Sequence, residues 1–329
     1  MTEDAAPLAL YTDPEGADVS PAAELLRRHG FEVRVEHAHS PDELVELARR
    51  LAPAALLVTY ARVGEAVLAA APSVRIVACC SVGFDHVDLE AARRHGVWVT
   101  NVPDAATEEV AVTAFAMALS LVRHLPFLDR HVRKGGWDYQ ATGWPLRPSD
   151  ATLGIVGMGR IGRRLATIAG SVFGEVIGCD PLVGSDAWPA GVRRVALGEC
   201  LRSSRVLSLH APLSAETARL IDADAIELMP HGAYLVNVSR GGLVDERALI
   251  DALDRGRLAG AALDVTDPEP PASDSPLRSH PRVLLTPHTA WISRRADEAY
   301  LMRQAENVVA LWRERRPLTP VAEPQGGAR

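Results

Sequence analysis

Short apolar runs alternate with amphipathic segments along almost the whole chain, and no other feature restricts its fold so strongly. In the first hundred residues the runs are LALYT (8–12), FEVRVE (31–36), AALLVTY (54–60) and VRIVACCS (74–81), and AAELLRRHG (22–30) and PDELVELARRL (41–51) are among the segments between them. Strands alternating with helices of about ten residues make βαβ units, and such units build a parallel sheet covered on both faces. A second series follows a long helical pattern over 108–133. Its strands read ATLGIVGMG, EVIGCD, VLSLH, AYLVNVS, AALDV and VLLTPH, and IGRRLATIAGSVF, AETARLI, DADAIELM and DERALIDALDRGRL between them have helical periodicity. The pattern predicts an α/β protein with two doubly wound parallel sheets. The closing segment SRRADEAYLMRQAENVVALWRERRP is expected to cross back over the first sheet, and the Pro- and Gly-rich tail after Pro320 is expected to fray.

Length agrees with this division, since 329 residues correspond to about two domains of roughly 100 to 200 residues each. The formal charge of −7 opposes binding to a nucleic-acid backbone or an anionic bilayer, so neither partner is expected. The stretch MTEDAAPLALYTD has acids where a secretory signal has basic residues, which predicts a cytoplasmic protein. The apolar stretch over 110–122 is short of the ~20 residues of a membrane helix. Cys79, Cys80, Cys179 and Cys200 fit no zinc spacing and read as core thiols, so no metal is expected.

Residues 152–162, TLGIVGMGRIG, set Gly157, Gly159 and Gly162 in G-x-G-x-x-G spacing between a strand and a helix, with Arg160 and Ile161 inside the motif. Gly157 permits the tight turn, Gly159 admits a pyrophosphate to the backbone, and Gly162 lets helix and strand pack closely. A glycine-rich turn alone also serves plain βα connections. Here EVIGCD ends at Asp180, near the spacing expected of an acid that holds a ribose 2′-OH. That acid repels a 2′-phosphate, and neither Pro181 nor Leu182 supplies a cation, so NAD is the expected cofactor rather than NADP.

Arg240, Glu269 and His288 each fall just beyond a strand of the second series, the side on which open α/β sheets bind ligands. Reduction of a 2-keto acid needs a proton donor for the forming alkoxide and a cation for the carboxylate. His288 suits the first role, with Glu269 favouring its charged form, and the planar fork of Arg240 suits the second. Taken singly, His288 also reads as a strand-end cap, Glu269 as a loop carboxylate and Arg240 as half of a surface ion pair.

NVSRGGLVDERAL (237–249), GAALDVTDPEP (260–270) and LTPHTAW (285–291) closely resemble signature segments of the D-isomer-specific 2-hydroxyacid dehydrogenases. SVGFDHVDL (81–89), NVPDAATEEVA (101–111) and SLHAPLSAET (208–217) match in the same order. The resemblance implies a Rossmann NAD-binding domain over 102–290 and a flavodoxin-like substrate domain from 1–101 and 291–329. It also implies a small 2-keto or 2-hydroxy acid as substrate and a homodimer joined through the cofactor domain, with the helix over 108–133 as its contact. By resemblance Arg240 binds substrate, Glu269 is the acidic partner and His288 the acid/base. Asp264 would hold the nicotinamide carboxamide. His210, Ala211, Pro212, Thr217, Val238, Ser239 and Thr113 would lie along the cofactor, while backbone N–H groups of Val82 and Gly83 would clasp the substrate carboxylate.

Within that family, HTAW followed by ISRRADE resembles the branch holding the C-terminal-binding-protein corepressors and their bacterial relatives. Trp291 matches a tryptophan that faces substrate there, or is equally a buried inter-domain aromatic. Ser81-Val82-Gly83-Phe84-Asp85 departs from the G-S-G-F-D of that branch. The resemblance admits a second kind of protein, an NAD(H) sensor that binds a partner without turnover, although a pure sensor has no need of a paired acid and histidine. An oxyacid other than a carboxylate would also suit an arginine and a backbone clasp.

Overall fold

The computed structural model describes residues 6–14 and 16–325. The acidic start of the chain, residues 1–5, on which the expectation of a cytoplasmic protein partly rests, lies outside them. The chain divides into two compact units, one formed by residues 1–105 with 293–329 and the other by residues 106–292.

In the first unit β1 (Leu8–Tyr11), β2 (Glu32–Val35), β3 (Ala55–Val58), β4 (Ile76–Cys79) and β5 (Trp98–Thr100) form a parallel sheet in the order β2-β1-β3-β4-β5. Every residue of β1, β3 and β4 is buried, which is why these strands read as unbroken apolar runs, whereas edge strand β2 is largely exposed. Ser293 caps the helix Arg294–Glu314 by accepting the Ala296 N–H. This helix packs on the same sheet, where buried Gln304 donates to the carbonyls of Val58 and Ala78 at 3.2 and 2.7 Å. The tail expected to fray after Pro320 is paired at its start, and residues 326–329 lie outside the described residues. Residues Pro320–Ala322 pair antiparallel with β5, because Asn307 exchanges hydrogen bonds of 2.9 Å with the side chain and backbone of Thr319 and so fixes the approach.

The second unit holds β6 (Thr152–Val156), β7 (Glu175–Cys179), β8 (Arg193–Arg194), β9 (Val206–Leu209), β10 (Ala233–Asn237), β11 (Leu258–Leu263) and β12 (Val283–Leu285). All pair in parallel, in the order β8-β7-β6-β9-β10-β11-β12. The winding reverses between β6 and β9, where Val156 lies opposite Leu209, and open α/β sheets bind ligands beyond the carboxyl ends of strands at such a point.

Two helical expectations are corrected. The pattern over 108–133 is two helices, Thr107–Val122 and Leu125–Arg133, bent by 61°. His124 between them has φ 56°, and Pro126 opens the second helix, so the backbone cannot run straight through. AETARLI (215–221) is a run of turns. The Thr217 hydroxyl donates to Pro212 O at 2.7 Å and accepts the Ser214 N–H at 2.8 Å, while Arg219 turns into the left-handed region, so side-chain bonding displaces a helix.

Among the described residues no single helix is long and apolar enough to cross a membrane, and no group of three or more His, Cys, Asp or Glu side chains could hold a metal ion. The four cysteines are free thiols, three of them buried, and burial pushes Cys80 and Cys200 up to about 12.

Candidate active site

The turn after β6 is built for close approach. Gly157 has φ 94°, and a Cβ there would lie 2.5 Å from the His210 carbonyl carbon, while one on Gly162 would lie 2.0 Å from Gly157 O. At Gly159 a Cβ would meet nothing within 4 Å, so this residue faces open space. Gly159 is also the N-cap of the helix Arg160–Ala169, which has no side-chain cap and no acid in its first turn. The first-turn N–H groups, among them those of Arg160, Ile161 and Gly162, therefore suit an anion, and glycine keeps the way to them clear.

Asp180 follows β7 beside this turn. Its Oδ2 accepts the Met158 N–H at 2.8 Å, and its Oδ1 accepts those of Leu182 and Val183 at 2.8 and 3.1 Å. Three backbone donors thus fix the carboxylate, and Oδ2 keeps a lone pair for a further donor. Glycine cradle, open helix start and fixed acid together fit a dinucleotide. Against the same turn, His210 shares a 2.8 Å hydrogen bond between Nε2 and Ser208 Oγ. The residue retains some exposure, yet Nδ1 is enclosed without a partner among the described residues, and burial pushes the imidazole down to about 3. His210 is therefore a neutral side chain beside the glycine turn, followed by Ala211 and Pro212.

Arg240 is presented by a splinted loop. Buried Asn237 donates from Nδ2 to Arg240 O at 2.8 Å and accepts the Ser239 N–H at 3.0 Å, while the Ser239 hydroxyl reaches Leu209 O at 3.2 Å. Val238 is buried inside the loop. The next residue, Gly241, lies flat against the 266–267 backbone, since a Cβ there would sit 2.1 Å from the Thr266 carbonyl carbon. The Arg240 loop and the Glu269 loop therefore touch through a bare glycine.

Glu269 is held from both sides. Its Oε1 accepts the Thr266 N–H at 3.0 Å and its Oε2 lies 2.8 Å from His288 Nδ1. The Thr266 hydroxyl closes the loop on Pro268 O at 2.9 Å, and Glu246 accepts the Asp267 N–H at 2.8 Å. Burial raises the Glu269 pKa, but the His288 hydrogen bond and charge, the Thr266 N–H and the Arg240 charge outweigh it, so the carboxyl sits below its ordinary range. Arg240, Glu269 and His288 are thus one electrostatic group.

His288 has φ 54° and donates its N–H to Asp264 O at 2.8 Å. The buried Asp264 carboxylate organises the loop around it. Oδ1 accepts the Thr286 hydroxyl at 2.6 Å and the Thr289 N–H at 2.8 Å, and Oδ2 accepts the Ala290 N–H at 2.8 Å. Thr113, from the helix Thr107–Val122, donates to Ala290 O at 3.3 Å, and partly buried Trp291 follows. In the first unit, the loop after β4 has its carbonyls tied down. Val82 O accepts from Asn101 at 2.7 Å and Gly83 O from Ser81 at 2.6 Å.

Sequence reasoning missed Asn237, Glu246 and Thr266, which act through loop geometry. Only their closeness to Arg240 and Glu269 in the chain hinted at them.

The model for "D-isomer specific 2-hydroxyacid dehydrogenase, NAD binding domain" matches residues 115–290. The chain belongs to the D-isomer specific 2-hydroxyacid dehydrogenase family, an NAD-dependent class of oxidoreductases, and NAD is its cofactor. It is 36% identical over 290 residues to a D-3-phosphoglycerate dehydrogenase of Archaeoglobus fulgidus, covering 88% of this chain and 54% of that protein. It is 38% identical over 299 residues to a glyoxylate reductase of Aeropyrum pernix, covering 88% and 89%. The chain thus spans about half the length of the phosphoglycerate dehydrogenase and most of the glyoxylate reductase. Among solved structures, a D-lactate dehydrogenase of Aquifex aeolicus complexed with NAD and lactic acid is 27% identical with a TM-score of 0.85, covering 97% of this chain and 100% of that one.

Proposed function

We propose that this protein interconverts a small D-2-hydroxy acid and its 2-keto acid with NAD(H), and that Arg240, Glu269 and His288 carry the chemistry. NAD(H) supplies or receives the hydride when bound. The reading rests above all on the 2.8 Å contact between His288 Nδ1 and Glu269 Oε2. With Nδ1–H given to the carboxylate, Nε2 is the nitrogen assigned to the substrate oxygen. Protonated, it donates to the carbonyl oxygen as that oxygen becomes an alkoxide; neutral, it accepts the hydroxyl proton in the reverse direction. Glu269, ionised below the usual carboxylate range, stabilises the imidazolium. Arg240 pairs with the substrate carboxylate and keeps it oriented. Val82 and Gly83 N–H groups are the first unit's proposed donors to the same class of anion.

Asp264 still has a lone pair on Oδ2 for a carboxamide N–H, which supports its proposed role at the nicotinamide. Ala211, Pro212, Val238, Ser239 and Thr113 are proposed to line the cofactor; Thr217 supports them by holding Pro212 O. Trp291, at the end of the His288 loop, is the proposed substrate-facing aromatic. An acid paired to an imidazole has no task in a pure sensor, which favours turnover over the regulatory reading.

The test is a panel of short, branched and aromatic 2-keto acids assayed by NADH oxidation, with chiral analysis of the products. A D-2-hydroxy acid from at least one substrate, and loss of that product in His288→Gln, are expected. Tight NADH binding with no turnover on any of them would return the protein to the sensor class.

We further propose a homodimer. The helix Leu125–Arg133 has no buried residue, and Trp137, Tyr139 and Trp144 after it are 91%, 83% and 86% exposed. A cavity of about 400 Å³ lined by Leu121, His124, Phe127, Tyr234 and Arg282 lies in the same unit. Exposed aromatics beside a cavity partly lined by apolar side chains favour burial against a second copy.

A further inference from the structure

The fold brings to Asp180 a cation that chain order had concealed. Arg194 lies on β8, whose register sets it opposite Gly178, two residues before Asp180. Its Nη2 donates to Asp180 O at 3.1 Å, and its guanidinium carbon stands 4.9 Å from the centroid of the Trp188 ring. Trp188 is itself fixed. Its Nε1 donates to Val192 O at 2.9 Å, and its ring occupies the space that a side chain at residue 178 would take, since a Cβ on Gly178 would meet Trp188 at 2.9 Å and Met158 Sδ at 2.8 Å. Arg163, from the helix that opens at the glycine turn, donates to Ala187 O at 3.1 Å and ties the tryptophan segment to that helix. The adjacent Arg193 is engaged by Glu175 and Glu199, whereas no carboxylate among the described residues ion-pairs with Arg194. A guanidinium stacked on an anchored indole, hydrogen-bonded to the main chain of the ribose acid and otherwise uncommitted, has charge and donors to spare.

We propose that Arg194 is a coenzyme-discriminating residue that binds a 2′-phosphate on the adenosine ribose, in opposition to Asp180. The carboxylate selects the free 2′-OH and disfavours a phosphate, while the guanidinium attracts one. Discrimination against NADPH is the difference between two opposed charges, so the enzyme takes NADPH as a weaker second coenzyme. The inference rests on the adenosine ribose lying at Asp180.

The experiment measures binding rather than turnover, by calorimetry with 5′-AMP and adenosine 2′,5′-bisphosphate, which differ only in the 2′-phosphate. Arg194→Gln is expected to weaken the bisphosphate by about tenfold while 5′-AMP changes by no more than about twofold, as loss of one charge-assisted contact requires. Arg194→Lys should restore part of the difference, because charge remains without the fork. Asp180→Asn should strengthen bisphosphate binding, and that gain should shrink when Arg194→Gln is added. Equal weakening of both ligands would make Arg194 a platform for the base, and no change in either affinity would leave it without a role; either overturns the proposal alone. Failure of both nucleotides and of NADH to bind the unaltered protein would overturn the placement of the coenzyme with it.

Discussion

The Nδ1 atom of His288 lies 2.8 Å from Oε2 of Glu269, while the backbone N–H of His288 is bound at the same distance by Asp264 O. One edge of the imidazole and its main chain are thus both held from within the second unit. A left-handed φ of 54° at a non-glycine residue is costly, and the Asp264 network offsets it by engaging the loop at Thr286, Thr289 and Ala290.

This arrangement fixes the sign of the pH dependence. Glu269 has its carboxyl held below the ordinary range, so its support of the imidazolium, and its share of folding stability, is fully present above the usual carboxylate pKa and is lost only as pH falls through the depressed value. Glu269→Gln removes that carboxylate, so the stability lost on acidification below the ordinary carboxylate range should no longer include this share. Thermal unfolding of both proteins across that acid range checks this, and an identical acid-side fall in Tm would mean that Glu269 carries no such share.

Arg240 should be intolerant of its closest substitute. Lysine keeps the charge but loses the planar fork, and the loop that Asn237 splints presents the side chain in one orientation. Arg240→Lys should lower kcat/KM by about 10- to 100-fold and Arg240→Ala by more, with KM rising in both. Steady-state kinetics across carboxylate substrates reads this out, and an unchanged KM would place the carboxylate elsewhere.

Gly241 should couple the Arg240 and Glu269 loops. With a Cβ 2.1 Å from the Thr266 carbonyl carbon, Gly241→Ala must push the Thr266 loop away from the Arg240 loop, at a stability cost of about 1 to 3 kcal/mol. The Glu269–His288 contact depends on Thr266, so kcat should fall further than the shift in Tm explains, while NADH affinity should change little. Thermal unfolding, coenzyme titration and kcat on one preparation separate these effects; equal loss of NADH binding would mean that the whole unit has loosened.

The strands were legible because burial on both faces writes them as apolar runs, as in LALY, ALLV and AYLVN. The glycine turn and Asp180 were legible because a pyrophosphate cradle demands particular residues at fixed spacing. Less visible were features that depend on one side chain overriding local periodicity. Thr217 bonding back to Pro212 turned a helical pattern into turns, His124 with Pro126 broke another, and Asn307 drew the tail into the sheet. Arg194 was hidden for a different reason, since strand pairing in register rather than chain proximity brings it to Asp180.

The bend at His124 moves the expected self-association surface. The helix Thr107–Val122 is substantially committed to its own unit, burying Val110, Ala111, Ala114, Met117, Ala118, Leu121 and Val122, and so presents limited apolar area to a partner. Beyond the bend, Leu125 and Val132 are 55% and 47% exposed, and Trp137, Tyr139 and Trp144 follow. Large aromatics with so little cover dominate interface energies when buried, whereas the many arginine–carboxylate pairs of the surface contribute little. Trp137→Ser with Trp144→Ser should therefore shift a dimer toward monomer in light scattering coupled to size-exclusion chromatography, with the glycine turn still binding NADH. A double variant that stays dimeric at micromolar concentration would locate the contact outside residues 125–147.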